Sequence, residues 1–253
     1  MVSDMRLETI VPGWQAPARV KALSTLRQGG FSQVPYDSFN LAEHVGDKQN
    51  CVLRNRELLC EVLNLPADPC WLEQTHSTRA VVLEEDINRS ADAAVTRRVD
   101  TVAVVMTADC LPILLCNQAG TEVAAVHAGW RGLADGVIQL ALKKIQSPAN
   151  ELMAWIGPGI SQDYFEVGGE VREIFLAHDK DNQQYFRANR PGHWLCDLYG
   201  LATAILGSQG VVQISQAPDC SYRDETRFFS YRRSATTGRM ASLIWIESQV
   251  AAD

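Results

Sequence analysis

The sequence predicts a single-domain mixed α/β sandwich across residues 1–253, with a central β-sheet core covered by helices. Three observations carry that expectation. The 253 residues are 46% hydrophobic and 21% charged, enough apolar material to bury one large core. Apolar runs at 102–106, 111–116 and 122–126 do not alternate with polar residues, as expected of strands buried on both faces. Helical and strand-like segments are interspersed without strict βαβ alternation and without an internal repeat, which points to a mixed sheet with helices on both sides.

Along the chain, residues 1–19 offer a short strand, and 20–26 alternate well enough for another. Residues 27–40 form a long loop with a Gly pair, a Pro and several side-chain donors; loops of this length are often functional, but a plain surface excursion fits the composition equally. Asp47 is placed to cap a helix running to about Asn64, with Val52, Leu53, Leu58, Leu59, Val62 and Leu63 on its buried side and Pro66 ending it. Short β-rich runs follow at 70–72, 80–83 and 102–106, with the polar stretch 84–98 as a connection. The runs at 111–116 and 122–126 complete the centre of a sheet. Residues 130–145 then read as one covering helix, stopped by Pro148. The second half predicts a strand at 152–156, a turn at Gly157-Pro-Gly159 and a helix at 169–178. A polar insertion at 179–191 precedes a helix near 198–206, a strand at 211–214 and a closing strand at 240–246.

The net charge of -7 argues against a nucleic-acid surface, which needs a clustered excess of Lys and Arg. No apolar run approaches the roughly 20 residues of a membrane span, and the N-terminus lacks the basic-then-apolar pattern of a signal peptide. The expectation is a cytoplasmic protein, a monomer or small homo-oligomer, with no nucleic-acid or membrane partner. Seven cysteines, odd in number and mostly inside helical or strand-like runs, read as reduced core thiols. Cys51, Cys60 and Cys116 suit that role, whereas Cys110 follows a carboxylate where a strand breaks.

Three soft ligands stand where apolar runs break: His76, Cys110 and His127. Zinc takes imidazole nitrogen and thiolate sulfur, and a catalytic site keeps one position open. With 34 positions between His76 and Cys110 and 17 between Cys110 and His127, spacing alone admits both a metal site and side chains satisfied within the core. His44, His178 and His193 are weaker candidates. The turn at 128–132 brings backbone N–H groups and Arg131 to a helix start, which favours an anion. Arg56, Arg232, Arg233 and Arg239 are further anion candidates, and Arg56 also reads as a paired surface residue.

Eight motifs occur together in order: Gly29-Gly-Phe-Ser32, Phe39-Asn-Leu-Ala-Glu-His-Val-Gly-Asp47, Asn55-Arg56, Gln74-Thr-His-Ser77, Thr107-Ala-Asp-Cys-Leu-Pro112, His127-Ala-Gly-Trp-Arg-Gly132, Ile156-Gly-Pro-Gly159 and Phe229-Ser-Tyr-Arg-Arg-Ser-Ala-Thr-Thr-Gly-Arg239. From about residue 20 onward the chain thereby resembles the YfiH, or laccase-domain, family of purine nucleoside phosphorylases. The resemblance implies a metal, usually zinc with copper possible, held by His76, Cys110 and His127. It also implies phosphorolysis of adenosine, inosine and methylthioadenosine to base and sugar 1-phosphate, together with adenosine deamination. Cys110, His127, His76 and Asp109 are then the expected catalytic group, and Asn40, Arg56 and Arg131 the expected contacts to nucleoside or phosphate. Asp109, as the carboxylate nearest in sequence, either shuttles protons for deamination or caps the break between two strands.

Three other readings compete. Cys110 with a histidine base fits a cysteine-type hydrolase acting on an amide, and the family resemblance implies a peptidoglycan precursor as that amide. A copper polyphenol oxidase is disfavoured because one thiolate and two histidines are not a multinuclear centre. A metal-stabilised interaction domain would close the fourth position with protein, and Cys116 is the residue that would do so.

Overall fold

Two β-sheets stacked face to face form the centre of the protein in a computed structural model that describes residues 7–248. In chain order the strands are β1 (Thr9–Ile10), β2 (Val20–Thr25), β3 (Ala80–Val82), β4 (Ala93–Thr96), β5 (Ala103–Thr107), β6 (Leu111–Asn117), β7 (Val123–Ala128), β8 (Leu152–Ile156), β9 (Glu166–Gly168), β10 (Phe186–Arg190), β11 (His193–Cys196), β12 (Gln213–Gln216) and β13 (Met240–Ile246). The helices are α1 (Gln49–Val62), α2 (Trp130–Asp135), α3 (Val137–Leu142), α4 (Gly169–His178) and α5 (Leu198–Ser208). One sheet has the order β1-β2-β13-β5, the second β12-β8-β6-β7-β4-β3, and a small outlying sheet β10-β11-β9. Pairings are antiparallel except β12 with β8 and β3 with β4.

Side-chain alternation explains why the central strands read as unbroken apolar runs. Ala103 and Val105 of β5, Leu114 and Cys116 of β6, and Val123 and Ala125 of β7 fill the seam between the two large sheets. Their neighbours face outward: Leu111, Ile113, Leu115, Ala124 and Val126 pack under α2, α3 and α5, while Val104, Leu243 and Trp245 pack under α1. The mixed α/β sandwich is therefore four layers deep, with helices outside and two sheets within. Among the described residues no helix is long and apolar enough to cross a membrane.

Several expectations are corrected. The run at 102–106 does not join 111–116 in one sheet; β5 and β6 lie in different sheets, and the chain crosses between them through Ala108, Asp109 and Cys110. Asp109 has φ +95°, a left-handed conformation that turns the chain out of one sheet into the other. The stretch 84–98 is not only a connection, because it contains the fully buried β4. The covering helix divides into α2 and α3 at Gly136, whose φ of +97° ends one helix before the next begins. Lys48, not Asp47, occupies the N-cap of α1; Asp47 instead accepts hydrogen bonds from Asn40 Nδ2 and Lys48 N. Leu53 lies on the exposed side of that helix. Residues 70–72 make a single bridge to Ala103 rather than a strand, and the polar insertion at 179–191 contains β10.

The 27–40 loop is fastened from below. Asn55, fully buried on α1, accepts from Phe31 N and donates to Ser32 Oγ and to the carbonyls of Ser38 and Asn40. A buried amide using both ends in this way leaves the loop little freedom.

Candidate metal centre

The site forms where the seam between the sheets opens at one end. His127 continues the alternation of Val123 and Ala125 on β7, so its ring points into the seam. Cys110 arrives from the crossover just before β6, and His76 from the loop ahead of β3. That loop is pinned to β5 by Gln74, whose side chain accepts from Met106 N at 2.7 Å and donates to Met106 O at 2.8 Å. His76 has φ +59°, in the left-handed region.

The three ligand atoms lie within 4.8 Å of one another, and Cys110 Sγ stands 3.8 Å from His76 Nε2. Zinc–sulfur and zinc–nitrogen bonds of the usual lengths put two tetrahedral ligands about 3.5 Å apart, so a contraction on the order of 1 Å at most fits the group around one ion. The donor set and spacing therefore suit a metal. Gly129 permits this approach: a Cβ there would sit 2.9 Å from Cys110 Sγ and 3.1 Å from His76 Cδ2. Among the described residues the ligand group has three members, and Cys116 is not one of them. It is buried in the sheet seam, paired across from Val123, and burial pushes its thiol up to about 12.

A buried carboxylate that sequence reasoning passed over supports the site. Asp92 precedes β4 directly opposite His127: its carbonyl accepts His127 N at 2.7 Å, and its Oδ1 accepts His127 Nδ1 at 2.8 Å. Burial alone would raise the Asp92 carboxyl, but hydrogen bonds from His127 and Ser77 outweigh it and hold the group ionised, below its ordinary range. Burial would likewise raise the Cys110 thiol; the imidazoles of His127 and His76 reverse this and bring it to about 6. Burial lowers His127, and Cys110 and Asp92 together overcome it, raising the ring to about 9. The metal-free site thus favours a thiolate beside an imidazolium.

Above the ligands lies a cavity of about 480 Å³ with guanidinium and aromatic walls. Arg131, Arg232 and Arg239 all line it, and among the described residues none of the three pairs with a carboxylate. Arg239 Nη1 donates to Thr237 O and Gly238 O, and burial draws this arginine below its ordinary value. Arg131 stacks on Trp130 and Arg232 over Phe165. Asp109 also lines the cavity, with both oxygens engaged: Oδ1 accepts Ser221 Oγ at 2.7 Å, and Oδ2 accepts Arg232 N at 2.7 Å and Ser230 Oγ at 3.0 Å. The Gly157-Pro-Gly159 turn backs this arrangement, since Ile160 N donates to Asp109 O and a Cβ on Gly159 would meet Leu111 Cδ2 at 2.6 Å.

Two expected substrate contacts stand elsewhere. Asn40 is fully buried behind the wall, accepting from Ala42 N and Arg239 N, so it positions the chain around Arg239 and does not line the cavity. Arg56 is occupied by Glu43, the Leu41 carbonyl and the face of Trp71, and also lies outside the cavity. Arg233 is tied to the carbonyls of Ser221, Tyr222 and Phe228. His44, a weaker candidate from sequence, does line the cavity, as does Tyr231.

Fold and site define a class: an α/β sandwich with an open His-Cys-His group at the end of its inter-sheet seam, beneath a cationic cavity. A family model described as "Multi-copper polyphenol oxidoreductase laccase" matches residues 21–247, and the chain belongs to this laccase-domain, YfiH-type family. It is 47% identical over 239 residues to an Escherichia coli protein named purine nucleoside phosphorylase YfiH, covering 94% of this chain and 98% of that one. A purine nucleoside phosphorylase of Pseudomonas aeruginosa is 44% identical over 239 residues, with the same coverage of 94% and 98%. Among solved structures, a Neisseria meningitidis protein superposes with a TM-score of 0.91 at 45% identity, covering 96% of this chain and 99% of that one. A Bacillus licheniformis YfiH protein does so at 0.85 and 26%, covering 90% and 93%.

Proposed function

We propose that the protein is a zinc-dependent purine nucleoside phosphorylase acting in the cytoplasm on adenosine, inosine and methylthioadenosine. The observation that carries this reading is the open three-ligand group on the floor of a cavity whose wall holds three guanidiniums that pair with no carboxylate among the described residues. Phosphorolysis needs an anion held in line with the glycosidic carbon: a phosphate oxygen bonds to C1′, the C1′–N9 bond breaks, and the departing purine takes up a proton. Arg239, desolvated and fixed through Thr237 and Gly238, is the principal phosphate anchor, with Arg131 and Arg232 completing it. Trp130, Phe165 and Tyr231 offer aromatic faces for a purine. A zinc ion held by His76, Cys110 and His127 would supply Lewis acidity at the cavity floor.

Adenosine deamination is assigned to the same cavity as a lesser activity. It needs a carboxylate free to carry protons, and Asp109 has both oxygens engaged by the C-terminal wall. Purified protein incubated with adenosine, with and without phosphate, separates these reactions by product. Ribose 1-phosphate appearing only with phosphate is expected; inosine alone would assign deamination as the main reaction.

A second reading has a specific observation behind it. Asp92, His127 and Cys110 line up as carboxylate, imidazole and depressed thiol, the arrangement of a cysteine nucleophile with its base, suited to an amide; the peptidoglycan precursor comes from the family resemblance alone. Covalent trapping of Cys110 by an electrophilic amide analogue, with turnover persisting in the absence of metal, would favour it over phosphorolysis. A copper oxidase is the weakest reading, because two histidines and one cysteine would hold a single ion and not a multinuclear centre, and elemental analysis of protein purified without added metal tests it.

A further inference from the structure

Asp92 does not line the cavity above the ligands, yet every side-chain hydrogen bond it accepts among the described residues comes from a candidate metal ligand or a ligand's chain neighbour. Oδ1 accepts His127 Nδ1 at 2.8 Å and His76 N at 3.1 Å. Oδ2 accepts Ser77 N at 2.6 Å, Ser77 Oγ at 2.7 Å and Thr75 N at 3.3 Å. The side chain is fully buried, at 0% exposure.

We propose that Asp92 is a positioning residue shared by both histidines, orienting the ring of one and the backbone of the other so that two ligands are set by one carboxylate. At His127 the bond to Nδ1 places the proton there and leaves Nε2 with its lone pair for an ion. At His76 the work is done on the main chain. A left-handed conformation at a non-glycine residue persists only where its surroundings impose it, and the three consecutive N–H groups of Thr75, His76 and Ser77 converging on Asp92 impose it here. Sheet pairing puts the carboxylate in place: Ala93 pairs with Val126, so Asp92 falls beside His127, and its distance in sequence from all three ligands is immaterial.

The donor pattern also explains why the residue is an acid. Each oxygen faces backbone N–H groups, which can only donate, and Oδ1 also faces His127 Nδ1, which donates once Nε2 is kept for an ion. An asparagine in either flip would therefore turn its NH2 against N–H donors, at the His127 and His76 side or at the Thr75 and Ser77 side. No flip satisfies every donor: the one that keeps the bonds from His127 and His76 sets NH2 against the N–H groups of Thr75 and Ser77 and loosens the turn that carries His76. Ser77 Oγ, by contrast, is one of several bonds to Oδ2 and is dispensable to the clamp.

The inference rests on the reading that His76, Cys110 and His127 bind a metal, and the experiment separates the two. Zinc affinity is measured by chelator competition on wild type, Asp92→Asn and Ser77→Ala, alongside the visible spectrum of the cobalt-loaded proteins. Asp92→Asn is expected to bind zinc about 10–100-fold more weakly, with altered cobalt bands and an unchanged far-UV circular dichroism spectrum, while Ser77→Ala stays within about threefold of wild type. A zinc affinity for Asp92→Asn within about twofold of wild type, with unchanged cobalt bands, would overturn the clamp. Wild type that binds neither ion would overturn the metal reading itself. Nitrogen-15 NMR of the histidines in zinc-loaded wild type needs no variant to fold: a His127 protonated at Nδ1 supports the clamp, and one protonated at Nε2 contradicts it.

Discussion

Two buried carboxylates flank the ligand group and do different work. Asp109 sits next to Cys110 in the chain, but its donors are Ser221, Ser230 and Arg232, all from the C-terminal third, so it holds the cavity wall. Asp92 is far from the ligands in sequence, and its donors are the ligands and their neighbours. The two also differ in tolerance. Two of the three donors to Asp109 are hydroxyls, which can reverse a hydrogen bond, whereas Asp92 faces three backbone N–H groups that cannot. Adjacency along the chain is thus a poor guide to which acid serves a ligand; register across a sheet is a better one.

That contrast breaks first at the ligands themselves. His76→Ala, Cys110→Ala and His127→Ala should each abolish metal binding and lower kcat/KM for nucleosides by about a thousandfold or more, given that a bound metal supplies several kcal/mol to such chemistry. Steady-state kinetics and elemental analysis check both effects. Next, Arg239→Ala should raise KM for phosphate by about tenfold or more, with a smaller change for the nucleoside, since a charge-assisted contact is worth roughly 1.5–3 kcal/mol; equal effects on both substrates would remove Arg239 as the phosphate anchor.

Asp109→Asn gives the sharper comparison with Asp92. It should keep zinc affinity within about threefold and cost about 1–2 kcal/mol, seen as a Tm lower by roughly 2–8 °C in calorimetry. A loss of zinc matching that of Asp92→Asn would erase the distinction between the two acids.

Titration offers a further test. With its folded pKa brought to about 6, below the ordinary thiol value of 9.0, Cys110 contributes stability to metal-free protein that is full above pH 9 and lost as pH falls through 6. His127, raised from 6.5 to about 9, contributes stability that is full below pH 6.5 and lost as pH rises through 9. Between these limits the thiolate persists, so iodoacetamide should alkylate metal-free protein at Cys110 with a half-point near pH 6, and zinc should suppress the reaction; a half-point near 9 would contradict the pairing. Smallest of all, Arg56→Ala should leave both KM values within about twofold, because the side chain is spent on Glu43 and Trp71.

Much of this was legible beforehand because it rests on local chemistry. Unbroken apolar runs reported strands buried on both faces, and β13 and α4 fall where periodicity puts them. His76, Cys110 and His127 could be named by residue type and by family resemblance, although spacing could not bring them together. What was missed has physical causes. β4 is four residues long and follows Glu84, Glu85, Asp86, Asn88 and Arg89, whose polarity hides it and hides Asp92 with it. The separation of β5 from β6 depends on one left-handed residue, Asp109, in a run otherwise continuous in hydrophobicity. Asn40 and Arg56 carried family motifs that hold a loop and a helix behind the wall, and sequence alone does not tell a wall from what supports it.

Turnover is proposed to depend on a metal held by His76, Cys110 and His127. Protein stripped with a chelator and titrated back with zinc, while phosphate-dependent ribose 1-phosphate formation from inosine is followed, tests it most directly. No product without metal and full recovery at one zinc per chain are expected; full activity in the stripped protein would contradict the metal's role.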